Sequence, residues 1–287
     1  MRPFKYVRPR TLDELFGVTS AHGANARILA GGTDVMVRLR MGHMRPDVVV
    51  DVKRVADLSR EICEVDGALR VGAHVVMTSV VQDARMRRLF PALVEAASVV
   101  GSVQIRNRAT LAGNICNASP AADTAPALLV YGAVVNVAAA AGRRRVPLSE
   151  FFTGPGKTVL ATGEIVESID LPLPAAPAGA AFGRVTRRFG VDLATINLCC
   201  RIDASGETRF AYGAVAPRPF LVIDRAGVLA NPSASDDART AALRELIGQA
   251  SPISDVRGGR EYRLGMLDVM SRRALATAQR RLSEIRS

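Results

Sequence analysis

The segment LPLPAAPAGA at 171–180 constrains this chain most. Its prolines at 172, 174 and 177 fix φ and remove backbone donors, so neither a helix nor a central strand can run through it. The segment is the best linker candidate in the chain, and units on either side of it are expected. A length of 287 residues predicts two or three packed units. Apolar residues make up 48%, which supplies a sizeable core and argues against global disorder.

Before the linker, residues 4–8 read as a short strand. Thr11 reads as a helix N-cap, with Glu14 at the capping-box position and Leu12, Leu15 and Phe16 on one apolar face. Residues 26–30 form an apolar run that stops at Gly31-Gly32. Residues 33–41 return to helical spacing, and 47–52 read as a buried strand, which makes a small βαβ-like unit. Residues 61–75 predict a hairpin around Asp66-Gly67. Residues 79–100 predict helix, capped by Ser79 and broken at Pro91. Residues 106–124 read as a polar, Gly- and Asn-rich loop. A short helix at 124–131, a hairpin from 133–139 and 143–147, and a strand at 162–171 follow. After the linker come strands near 181–188, 192–203 and 208–215, then amphipathic helices near 234–250 and 262–284, an α+β arrangement with its own core.

Several function classes are disfavoured. No apolar run reaches the ~20 residues of a membrane span, and the start MRPFKYVRPRTLDELF has no apolar signal-peptide core, so a cytoplasmic protein is expected. Cys63, Cys116, Cys199 and Cys200 have no zinc-ligand spacing and read as small buried apolar side chains. The net charge of +11 is almost all arginine, with lysine only at 5, 53 and 157. The arginines are scattered apart from Arg143-Arg144-Arg145, aromatics are 5% and Trp is absent, so no base-stacking platform for nucleic acid is evident. An arginine-rich surface meeting acidic partners fits better.

Two loops carry the chemistry. In ILAGGTDV, residues 28–35, a strand enters two glycines and a helix follows. Glycines permit left-handed dihedrals and close backbone approach, and bare N–H groups there suit an anion such as a pyrophosphate without any basic side chain. A side chain at Gly32 would block that approach. A plain turn with an N-cap is the alternative. The second loop, RATLAGNICNASPAADTAPAL at 108–128, packs Thr110, Gly113, Asn114, Asn117, Ser119, Pro120 and Asp123 together. Thr110, Ser119 and the N–H groups around Gly113-Asn114 can bond phosphate oxygens, and Asp123 can accept from a ribose hydroxyl. A solvated loop of Asx turns is the alternative.

Other signals fail. GPGKT at 154–158 has the Gly-Lys-Thr of a phosphate-binding P-loop, but that motif's first glycine would fall at Phe151, so the segment reads as a turn. No GxGxxG follows a strand, so no Rossmann site is indicated. No Ser/His/Asp set or carboxylate pair is apparent.

AGGTDV, then TLAGNICNASPAADTAPAL, then FFTGPGKTVLATGEIVESIDLP, then FGRVTRRFGVDLATI occur in that order. Together they resemble the FAD-binding medium subunit of the molybdenum hydroxylases, a family that includes xanthine and carbon monoxide dehydrogenases. The resemblance runs from about residue 2 to residue 282. It implies an α+β fold: a two-part, PCMH-type FAD-binding α/β region, 1–57 and 58–175, and a C-terminal α+β domain, 178–287, covering the flavin. It assigns cofactor contacts to Ile28, Leu29, Ala30, Gly31, Gly32, Thr33, Asp34 and Val35, and to Thr110, Leu111, Ala112, Gly113 and Asn114. Ser119 and Asp123 of the SPxxD element, Val100 and Val166 at apolar contact positions, and Arg184 complete the set. Many members carry a lysine near the flavin where this chain has Arg184, ahead of Arg187-Arg188, and a fork replaces a point charge there.

By the same resemblance, molybdopterin would reside in a large partner subunit and two [2Fe–2S] clusters in a small one. This chain would bind FAD, collect electrons from the clusters and deliver them to an acceptor, with NAD a candidate, in a dimer of heterotrimers. A free-standing FAD-dependent reductase or oxidase of related fold is the alternative. A basic non-enzymatic binding module would leave both polar loops unexplained.

Overall fold

The computed structural model describes residues 2–286. The N-terminal unit contains β1 (Lys5–Val7), α1 (Leu12–His22), β2 (Ala26–Leu29), α2 (Val35–Arg40) and β3 (Val48–Asp51). Its strands are parallel in the order β1-β3-β2, with Tyr6 opposite Val49 and Ile28 opposite Val50. All four β3 residues are buried, as a central parallel strand requires. Thr11 caps α1 by accepting from the Glu14 N–H at 3.2 Å. The Glu14 carboxylate reaches back one residue further than a capping box does, accepting from the Arg10 N–H at 2.7 Å.

The second unit begins with β4 (Ile62–Val65) and β5 (Ala68–Gly72). Consecutive positive φ values at Asp66 (51°) and Gly67 (72°) make the tight hairpin turn expected of that pair. A helical layer follows: α3 (Met77–Gln82), α4 (Ala84–Leu89), α5 (Pro91–Ser98), α6 (Val103–Arg106), α7 (Leu111–Asn117) and α8 (Thr124–Val130). Next are β6 (Val134–Ala139), β7 (Gly142–Pro147), α9 (Leu148–Phe151), β8 (Phe152–Gly154), β9 (Lys157–Thr158) and β10 (Ile165–Pro172). The antiparallel sheet runs β4-β5-β10-β6-β7, and β8 and β9 pair separately around the GPGKT turn.

The third unit has β11 (Ala178–Val185), β12 (Ile196–Asp203), β13 (Thr208–Gly213) and β14 (Phe220–Asp224) in sequential antiparallel order, then α10 (Asp236–Ile247) and α11 (Arg260–Arg286). This sheet is covered on both faces. Cys199 and Ala211 belong to the core shared with α5 and α8, while Leu198, Cys200, Phe210 and Tyr212 belong to the core shared with α10 and α11. Adjacent cysteines therefore point to opposite sides of one strand, as pleating demands. Helix α8 is buried along its whole length between the second and third units. Arg281 on α11 bonds Glu95 on α5 and donates to the Ala180 carbonyl at 2.6 Å, a further tie between them.

The α+β class is as expected, but local readings need correction. Ser79 lies inside α3, and the cap in that region is Asp83, which starts α4 by accepting from the Arg85 and Met86 N–H groups. Pro91 opens α5 at its first position, where no N–H is needed. The stretch 106–124 is no open loop, because α7 fills its middle. Strand β14 was hidden behind Pro217 and Pro219, which mark a turn. Cys199 and Cys200 are buried, but Cys63 is half-buried and Cys116 is exposed.

Candidate cofactor site

An open cleft of about 640 Å³ lies where the first two units meet, a size suited to a cofactor. Its floor is made by the two glycine-bearing loops packed backbone to backbone. A Cβ on Gly31 would sit 2.1 Å from the Arg108 carbonyl oxygen and 3.1 Å from the Ala109 Cα. Gly31 is thus required by the second loop, whereas Gly32 is required by its own backbone, at φ +80°. Within the protein, a side chain at Gly32 is opposed by this backbone conformation and would also press on Leu29 Cδ1 at 3.1 Å.

Beyond Gly32, the N–H groups of Thr33, Asp34 and Val35 have no hydrogen-bond partner among the described residues. The second loop is anchored by an isolated bridge between Val76 and Thr110, with Met77 donating to Ala109 and Leu111 donating to Val75. Thr110 then caps α7, its Oγ1 accepting from the Gly113 N–H at 2.9 Å. Asn114 is held by the Thr124 hydroxyl, which donates to its Oδ1 at 2.7 Å. Asn117 Nδ2 donates to Asp34 Oδ1 at 3.3 Å, which joins the two loops directly.

Most of the residues singled out from sequence line this cleft: Ile28, Ala30, Gly31, Gly32, Thr33, Asp34 and Val35 on one side, and Thr110, Ala112, Gly113 and Asn114 on the other, with Val100 and Val166. Five others are placed elsewhere. Leu29 and Leu111 are buried in hydrophobic cores. Ser119 Oγ accepts from the Ala121 N–H at 3.3 Å in a local turn. Asp123 and Arg184 pair with each other at 3.2 Å, and their side chains are only 11% and 12% exposed. Asp123 also accepts from Asn197 Nδ2 at 3.1 Å, while Arg184 donates to the carbonyls of Val99 and Asp192 at 3.0 and 2.9 Å. Both Asp123 oxygens thus have protein partners, and each keeps a further lone pair. Burial pushes the Asp123 carboxyl up to about 6, against the downward pull of Arg184 and Asn197.

The cleft also recruits residues that sequence reasoning passed over. Gly156 and Thr158 of the dismissed GPGKT turn are on its wall. His74 lines it too, its Nε2–H donating to the Val52 carbonyl at 2.9 Å. Burial lowers the His74 pKa, so the ring stays neutral near pH 7. Glu164 lines the cleft but is paired with Arg144 at 2.7 Å. Arg27 and Arg38 line it as well, one on the strand entering the glycine turn and one on the helix leaving it. Their signal was available: Arg38 lies four residues after Asp34, on the same helix face.

Comparison with known proteins gives this geometry its context. The sequence profile described as "FAD binding domain in molybdopterin dehydrogenase" matches residues 2–174, and that of the "CO dehydrogenase flavoprotein C-terminal domain" matches 180–278. The chain is 33% identical over 278 residues to the xanthine dehydrogenase FAD-binding subunit of Escherichia coli O157:H7, covering 95% of each. It is 29% identical over 279 residues to the carbon monoxide dehydrogenase medium chain of Hydrogenophaga pseudoflava, covering 96% of each. A chain of CO dehydrogenase from Oligotropha carboxidovorans matches in structure with a TM-score of 0.91 at 26% identity, covering 98% of this chain and 99% of that one. With the profile over most of its length and relatives matched nearly end to end, this chain belongs to the family of FAD-binding subunits of the molybdopterin dehydrogenases, as the flavin subunit of an oxidoreductase.

Proposed function

We propose that this chain holds FAD in the cleft and relays electrons from the [2Fe–2S] clusters of a small partner subunit to an external acceptor. The observation that carries the reading is the meeting of the two loops on one cleft, with three adjacent N–H groups left bare. Uncommitted backbone donors beside glycine are the chemistry that a pyrophosphate requires. The thirteen cleft-lining residues named from the sequence are the proposed contacts. Val100 and Val166 offer apolar surface for the ring. Leu29, Leu111, Ser119, Asp123 and Arg184, which the resemblance also assigns to the cofactor, lie outside the lining of the open cleft. When bound, the flavin supplies redox chemistry that joins one-electron donors to a two-electron acceptor. The chain's own residues bind and orient it.

The separate three-, five- and four-stranded sheets, with the small β8–β9 pair falling inside the second unit, support a division into 1–57, 58–175 and 178–287. A large molybdopterin subunit would carry out substrate chemistry elsewhere, in a dimer of heterotrimers in the cytoplasm, with NAD as the candidate acceptor. Among the described residues no helix is long and apolar enough to cross a membrane. The test is a visible spectrum of the purified chain after incubation with FAD and desalting, with the released cofactor identified after denaturation. An oxidised-flavin spectrum and released FAD are expected. A colourless chain, and an equally flavin-free complex with its co-purified partners, would refute the proposal.

A further inference from the structure

A pyrophosphate brings negative charge into the cleft, and backbone amides supply donors but no counter-charge. Burying charge without compensation is costly. The charged residues lining the cleft are Arg27, Asp34, Arg38 and Glu164, with His74 and Cys116 as the other titratable groups. Glu164 is neutralised by Arg144, Asp34 is bonded by Asn117, and His74 is held neutral. Arg27 and Arg38 differ, because neither guanidinium has an ion pair or a side-chain hydrogen bond among the described residues. Most other arginines near acids are engaged, including Arg70, Arg85, Arg143, Arg144 and Arg184. Burial depresses the Arg27 pKa, and the neighbouring Arg38 charge adds to that effect. Two like charges facing one cleft without an anion between them are ready to accept one.

Resting on the FAD reading, we infer that Arg27 and Arg38 form a cationic pair that neutralises the pyrophosphate of the bound dinucleotide. The glycine loops supply shape and neutral donors, and the arginines supply charge. The division follows from the fold. Strand β2 leads into the loop and α2 leads out of it, so one residue on each reaches the same cleft from either side.

The full chain and its Arg27→Gln, Arg38→Gln and Arg27→Lys variants are titrated with FAD, with ADP, and with riboflavin, which has no phosphate. Each Gln variant should weaken FAD and ADP by about 10-fold at low ionic strength, the scale of one charge-assisted contact. Riboflavin should shift by less than about 2-fold, Arg27→Lys should retain most of the affinity, and added salt should close the gap between variants. Gln variants that bind FAD and ADP like the wild type would overturn the inference and leave the flavin reading standing. A parallel loss of riboflavin would also overturn it, since damage would then extend to the whole cleft. A wild-type chain that takes up none of the three would bring down the flavin reading and the inference together.

Discussion

The cleft between the first two units and the polar knot around Asp123 share one stretch of chain, residues 110–123. Thr110, Gly113 and Asn114 line the cleft. Ser119 and Asp123, just past α7, turn toward the third sheet. The cleft keeps donors bare at Thr33, Asp34 and Val35. The knot is nearly saturated: Asp123 takes Arg184 and Asn197, and Arg184 takes two carbonyls, with Asn197 Oδ1 the atom left without a partner. Dense polar residues therefore do two jobs here. Where the groups stay open they prepare a ligand site. Where they find one another they fasten units together, since buried polar groups demand partners.

The strongest way to break this contrast is Asp123→Ala. It leaves Arg184 buried without its counter-ion, and a loss of about 3 kcal/mol in denaturant unfolding is expected. FAD affinity of the protein that remains folded should change little. A variant of normal stability with a large loss of FAD affinity would move Asp123 from the knot to the cofactor site.

Asp123→Asn sharpens the contrast through pH. The folded pKa of about 6 lies above the ordinary 3.8, so the stability contributed by this group is whole below pH 4 and lost as pH rises through about 6. The stability difference between wild type and Asp123→Asn should fall by on the order of 2–3 kcal/mol between pH 4 and pH 7. A flat difference across that window would show that Asp123 titrates normally.

On the cleft side, Gly31→Ala forces a Cβ against the Arg108 carbonyl. A stability loss of about 1–3 kcal/mol is expected, with FAD retention lost because the loops must part. Full flavin content after desalting would show that the loops need not abut. The smallest effect belongs to Thr110→Ala, which removes the α7 cap at a cost of about 1 kcal/mol. An unchanged melting temperature would show that the cap is dispensable.

Much of the first loop was legible because its chemistry is local. A strand running into two glycines and then into helical spacing describes β2, the turn and α2, and neighbours in sequence suffice to determine them. The Asp66-Gly67 hairpin and the Thr11 cap are legible for the same reason. Helix α7 was not, since Gly113, Asn114 and Asn117 carry weak helix propensity and resemble loop composition. Its cap and its packing on buried neighbours outweigh that propensity. Strand β14 was likewise concealed by the prolines before it.

The sequence by itself determined the Asp66-Gly67 turn, the Thr11 cap and the glycine positions where the backbone needs them. Tertiary structure decided which polar groups remain free. Asp123 meets Arg184 across 61 residues and Asn197 across 74, and Gly31 meets Arg108 across another unit's surface. Arg27 and Arg38 line the cleft without an ion pair among the described residues, since Glu164 is taken by Arg144. Dihedral preferences and capping act between neighbours in the chain, whereas hydrogen-bond satisfaction and charge pairing act between neighbours in space.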